Sequence, residues 1–209
     1  MAILVSDGVS PQQIAKLEAE WLKWRDGQFI FADFQHSGRF RGLHLDVING
    51  RYLPEIWDDG GGPDSFELEI GNQVAHSAPL SSAGPTFKQL QTKWLPYYDP
   101  VLQQSRYTMV YNACLYDLEH VYFYAQRDLF FQAFDRLYKA HQEFLQMMFI
   151  GQQVYPIAYN KWIAYQLRDL LNMPGLADTL RPLLAIQQLD ARNLNGAANK
   201  LRALVEEQA

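Results

Sequence analysis

Residues 128–163, DLFFQAFDRLYKAHQEFLQMMFIGQQVYPIAYNKWI, place the tightest limit on what this chain can fold into. Phe130, Phe134, Leu137, Phe144, Leu145 and Met148 recur at helical spacing, which predicts a long helix over 128–152 with one apolar stripe turned inward. Asp135, Lys139, Gln142 and Glu143 fall three or four residues apart and form its polar side. Pro156 then bars continuation, and Tyr159, Asn160, Lys161 and Trp162 open a second helix over 159–172. A helix pair joined by a stiff Tyr-Pro corner that carries Tyr, Asn and Lys is the part of the chain most like a site. The same pattern also suits a plain helical core with an amphipathic surface.

The other long segments support a largely helical chain. Helices are expected at about 86–95, 99–126, 176–184 and 190–207. Ahead of them the pattern is mixed. Ala2-Ile-Leu-Val5 reads as a short buried strand ended by Ser6-Asp7-Gly8. Ser10-Pro11 caps a helix to about Arg25 whose inward face is Ile14, Leu17, Trp21 and Trp24, and Asp26-Gly27 ends it. Two β-type runs follow, 28–34 and 42–48, on either side of the polar turn 36–39. Alternation in the second puts His44 and Asp46 on one face, and a carboxylate in mid-strand runs against β propensity and burial.

Residues 49–64, NGRYLPEIWDDGGGPD, are too rich in Gly, Pro and Asp for a regular element. The glycine triplet is a poor phosphate cradle, because Asp58 and Asp59 precede it and no Lys-Ser/Thr helix start follows. Asp64-Ser65-Phe66-Glu67 has capping-box spacing for a helix to about Ala75. Residues 77–85, SAPLSSAGP, form the most linker-like stretch. The chain thus divides into an αβ portion, 1–84, and a helical bundle, 85–209.

Several function classes are disfavoured by composition. A net charge of −5 gives no clustered cationic excess for nucleic acid. The single cysteine, Cys114, rules out an intrachain disulfide or a thiolate metal cluster, and its helical neighbours Val110, Tyr111 and Leu118 make it a small buried hydrophobe. There is no membrane-length apolar run and no signal-peptide pattern, so a cytoplasmic protein is expected. Tyr, Phe and Trp make up 14% of residues, a richness that suits helix contacts, a lined pocket or a homodimer.

The segment RGLHLDVINGRY, followed by LYKAHQEFLQMMFI and then YPIAYNKWI, resembles the polymerase-β-like nucleotidyltransferases of the antibiotic and minimal type. The resemblance covers about residues 2–185 and is most specific at YPIAYNKW. It implies an α+β fold: an incomplete nucleotidyltransferase domain with a small partial mixed sheet, followed by an all-α bundle. It also implies transfer of a nucleoside monophosphate from a nucleoside triphosphate to a hydroxyl acceptor on a small molecule or protein. In the family, an Asp-x-Asp pair after a Gly-Ser turn holds Mg2+, and a third carboxylate on a neighbouring strand completes the metal site or accepts the acceptor's proton.

Asp46 matches the third carboxylate, as catalytic residue and metal ligand. Lys139, Tyr155 and Lys161 are the candidates for nucleotide binding that go with this reading. No Gly-Ser turn with Asp-x-Asp precedes Asp46; Asp7 and Asp33 are single acids. The expectation is a chain that begins just past the metal-binding pair and has little or no activity as it stands. More local readings remain open beside this one: Asp46 paired with Arg39, Arg41 or His44; Lys139 paired with Asp135 or Glu143; Tyr155 and Tyr159 as core residues; Asp117, Glu119 and His120 as one polar helix face. The alternative for the whole chain is a non-catalytic helical-bundle module for binding or dimerisation.

Overall fold

The computed structural model describes residues 1–5, 8–29, 31, 44–57, 60–80 and 84–208, in two compact units, Met1–Tyr52 and Leu53–Ala209. The composition break at 84/85 therefore lies inside the second unit. Residues 60–76 pack against the helices that follow them, through contacts described below.

In the first unit, strand β1 (Ala2–Leu4), helix α1 (Pro11–Asp26) and strand β2 (Asp46–Ile48) form a β-α-β arrangement. The strands are parallel, with Ala2 opposite Asp46, Ile3 opposite Val47 and Leu4 opposite Ile48. A parallel pair needs a crossover, and α1 lies within it. Its start follows the sequence: Ser10 Oγ accepts from Gln13 N–H while Gln13 Oε1 accepts from Ser10 N–H. Trp24, expected to face inward, is half exposed and packs its ring against Trp21. Of the strand expected over 28–34, residues 28, 29 and 31 are described. Phe31 N–H donates to Gln28 O, a turn bond in place of a ladder bond. The other residues of that strand, and the turn after it, lie outside the described residues. Among the described residues the sheet is two-stranded and parallel, so the mixed sheet of the sequence reading is replaced by a smaller one.

The second unit is helical. Helix α2 (Phe66–Ile70) runs into a π-helical turn (Gly71–Ala75), followed by α3 (Pro85–Trp94), α4 (Pro100–Ala125) and α5 (Phe130–Gly151). A short α6 (Ile163–Tyr165) then passes into a second π-helical turn (Gln166–Leu170), before α7 (Pro174–Leu183) and α8 (Ala191–Glu207). Helices α4, α5 and α8 pack on one another and enclose the core, which includes Val110, Leu118, Leu137, Phe144, Leu145, Phe149, Leu194 and Leu201. Burying such side chains is worth about 1.5–3 kcal/mol each before chain entropy is charged against it. Helix α4 closes on Asp128 and α5 on Gln153, both with positive φ, and Leu129 N–H to Tyr124 O and Val154 N–H to Phe149 O complete the ends.

The stripe expected along α5 holds at Leu137, Phe144, Leu145 and Met148, whereas Phe134 is partly exposed. After α5 the chain stays irregular longer than its apolar spacing predicts, and the next helix starts at Ile163 instead of 159. The reason is Gln166. Its buried amide accepts from Ile157 and Ala158 N–H and donates to Ala158 O and Lys161 O, so these backbone groups are satisfied outside a helix. The first π-helical turn braces the same corner: Asn72 donates to Ile157 O, and His76 Nε2 lies 2.8 Å from Tyr155 O.

Gly71 is where this brace is closest. A Cβ there would stand 2.0 Å from Pro156 O. Gly71→Ala should force the corner away from the π-helical turn and cost about 1–3 kcal/mol, read as a lowered midpoint in urea denaturation. An unchanged midpoint would show that the two segments are not in register.

Candidate functional site

Of the four residues singled out in the sequence, Asp46 stands on β2, in the first unit, with its side chain exposed and without an ion-pair partner among the described residues. Arg39 and Arg41, its possible partners, lie outside the described residues. Lys139 on α5 pairs with Asp135 at 2.9 Å, one helical turn back. Lys161 is exposed at the corner, and among the described residues only its backbone oxygen is engaged, by Gln166. Tyr155 is buried. Its hydroxyl donates to Trp94 O at 2.9 Å, and its ring lies 4.7 Å from that of Tyr97. Tyr155 therefore props the corner from inside and offers no face to a ligand.

The strongest polar chemistry lies where the sequence pointed only indirectly. Helix α4 carries Arg106, 2% exposed, into the interior. Its Nε donates to Glu67 Oε1, while Nη2 reaches Glu67 Oε2 and Asp64 Oδ1, both at 2.7 Å. Nη1 donates to Glu55 O. From α5, Gln146 Nε2 donates to Asp64 Oδ1 at 2.9 Å and Glu67 Oε2 at 2.8 Å. Tyr98 O–H donates to Glu67 Oε1 at 2.8 Å, and Tyr97 O–H to Tyr98. Burial alone would lower the Arg106 pKa; its bonds to Glu67 and Asp64 reverse that and raise it. Burial and the Glu67 carboxylate push the Tyr98 hydroxyl far above its usual range.

This changes the meaning of the capping-box spacing at 64–67. Ser65 takes the N-cap of α2 with no capping bond from its side chain, its hydroxyl donating to Glu69 Oε1 instead, while Asp64 and Glu67 are both turned onto Arg106. A guanidinium buried between two carboxylates binds them far more tightly than a helix end does.

A second buried set holds the glycine triplet. Arg136 Nη1 donates to Gly60 O and to Asp117 Oδ1, and Gly62 N–H donates to Glu143 Oε1 at 3.0 Å. A Cβ on Gly60 would overlap the Asp117 carboxyl, and Gly62 has a φ of 92°, so both positions need glycine. The triplet thus faces carboxylates, in keeping with its rejection as a phosphate cradle. Asp117 and Glu143, assigned by spacing to polar helix faces, are both fully buried. Burial, reinforced by the charge of Asp117, lifts the Glu143 carboxyl to about 8, and burial also raises Asp117 although Arg136 opposes it. Of that expected polar face, Glu119 stays exposed, and His120 turns its ring to Tyr116 O. Cys114 is fully buried as expected, and its thiol contacts Ala140 O.

No group of three or more His, Cys, Asp and Glu residues placed to hold a metal ion occurs among the described residues. Asp46 is one exposed carboxylate, and Mg2+ gives up its hydration shell reluctantly even to carboxylates and phosphates acting together. The residues described do not fit a magnesium site. No protein-family model, curated protein or solved structure matches the chain. No helix among the described residues is long and apolar enough to cross a membrane.

The buried sets make opposite use of their charges, and two outcomes follow. Arg106→Met should cost about 3–5 kcal/mol, because Asp64 and Glu67 lose the cation that compensates them; denaturant unfolding of the two proteins checks this. For Glu143, the unfolded carboxyl ionises near 4.5 and the folded one near 8, so the unfolded state binds fewer protons between these values and stability falls as pH rises through them. Burial lowers His141 to about 4, which gives the opposite slope up to about 6.5. The net loss should therefore appear between about pH 6.5 and 8, at about 1.4 kcal/mol per pKa unit. Glu143→Gln keeps an acceptor for Gly62 N–H and should flatten this decline, as followed by melting temperature against pH. A wild-type profile already flat over that window would refute the assignment.

Proposed function

We propose that this chain is a protein of the polymerase-β-like nucleotidyltransferase type whose described residues bind a nucleoside triphosphate but transfer its nucleoside monophosphate to a hydroxyl acceptor slowly or not at all. The observation that carries the reading is Asp46. It is an exposed carboxylate on the second strand of a parallel β-α-β unit, unpaired among the described residues, in the segment LHLDVI that carries the resemblance. The order of an αβ portion followed by helices supports the same reading.

Within this reading the residues act separately. Asp46 is the candidate to draw a proton from an acceptor hydroxyl. Lys161, whose ammonium has no partner among the described residues, and Lys139, shared with Asp135, supply positive charge for phosphate oxygens. Tyr155 has a positioning role, holding the corner that bears Lys161. The magnesium that would bridge the phosphates in the family has no adequate set of ligands among the described residues, and no step is assigned to it. The proposed location is cytoplasmic.

A second reading, a helical module that associates with another protein or with itself, draws on a different observation. Phe123, Leu129, Phe131 and Phe134 surround the turn between α4 and α5, and Phe131 is 84% exposed.

Calorimetric titration with each nucleoside triphosphate in magnesium buffer, with pyrophosphate release measured in parallel, separates the two. The expected result is saturable binding weakened at least several-fold by Lys161→Ala, with release near the uncatalysed background. Absence of binding together with a concentration-dependent dimer in sedimentation would favour the second reading. Release at rates typical of enzymes, about 1 per second or more, would overturn the claim of reduced activity.

A further inference from the structure

The sequence contains two Asn-Gly steps, Asn49-Gly50 and Asn195-Gly196, and the fold treats them differently. At such a step the glycine nitrogen can attack the side-chain carbonyl carbon of the asparagine, because no β-carbon shields it. Attack needs an asparagine side chain folded back on the following peptide, a glycine N–H that no other group holds, and access to water.

Asn49 meets these needs. It directly follows β2 and is exposed. Its Oδ1 accepts from Arg51 N–H at 3.0 Å, an Asx turn that folds the side chain back along the Asn49-Gly50 peptide. Gly50 has a φ of 71°, and its N–H has no hydrogen-bond partner among the described residues. Asn195 and Gly196 lie inside α8, beyond its first turn, where each N–H points along the axis to a carbonyl one turn back. There the glycine nitrogen is held, and turned away from the side chain that it would attack.

We infer that Asn49 is a site of spontaneous deamidation and isoaspartate formation, and that Asn195 is protected from it by α8. The Gly50 nitrogen gives up its proton and bonds to Cγ of Asn49. Negative charge gathers on Oδ1, where Arg51 N–H already donates. The Cγ–Nδ2 bond then breaks and ammonia leaves with the proton, which closes a succinimide ring. Water adds to either ring carbonyl and opens it to aspartate or to isoaspartate, so water is the sole co-reactant. Either product sets a new carboxylate just past β2, close along the chain to Asp46. Isoaspartate also lengthens the main chain by one carbon directly after Ile48, whose carbonyl accepts from Val5 N–H. The modification therefore falls on the strand end that closes the parallel pair.

The test is incubation of the full chain at neutral pH and body temperature in heavy-oxygen water, followed by tryptic digestion in mildly acidic buffer and mass spectrometry. Cleavage after Arg41 and Arg51 releases residues 42–51, and cleavage after Arg192 and Lys200 releases 193–200, so the two steps are read in separate peptides. The expected result is that 42–51 gains the mass of a labelled acid in place of an amide, with isoaspartate the major product, while 193–200 converts several-fold more slowly. In urea, which melts α8, the two peptides should convert at similar rates. Conversion of 42–51 no faster than 193–200 in the folded chain would overturn the inference. So would a peptide 193–200 that stays slow in urea, since the helix would then not be what protects it.

Discussion

Arg106 fixes the second unit in place. A guanidinium withdrawn from water is tolerable only when its donors are met, and here they are met by residues some forty positions earlier, Asp64 and Glu67, and by a backbone oxygen at Glu55. This one side chain decides that the irregular segment 53–67 belongs with the helices that follow it. Gln146 and Tyr98 complete the same pair of carboxylates from α5 and from the start of α4, so three parts of the chain share one electrostatic centre.

Around that centre the chain uses polar side chains where regular structure would otherwise supply backbone bonds. Gln166 satisfies four backbone groups of the corner, Asn72 and His76 two more, and Arg136 and Glu143 hold the glycine triplet. The glycines are required by closeness and not by flexibility: Gly60 lies on a carboxyl group and Gly71 on a carbonyl. Glu143 carries a price for its position, since an acid lifted to about 8 opposes folding at neutral pH.

Much of the architecture was legible in order and type. Proline after Asp or Ser set the starts of α1 and α4, where Ser10 and Asp99 both cap as their residue types require. Apolar spacing found α5 and most of its buried stripe. Less of the candidate site was legible. Spacing assigns faces on the premise that charged residues point to water, and this failed at Asp117 and Glu143 because a later or earlier residue compensates each of them. For Tyr155 the sequence leaves both a ligand contact and a core role open, and the fold packs it as a prop against Trp94 and Tyr97.

Local sequence was sufficient for what depends on neighbours a turn or two away: the capped starts of α1 and α4 and the burial of Cys114. Only tertiary structure could decide which charges are interior. Burial of a carboxylate depends on a cation or a donor brought from tens of residues away, as Glu67 needs Arg106 and Glu143 needs Gly62. No periodicity within one segment encodes that partner, because the pairing exists only once the chain has closed around it.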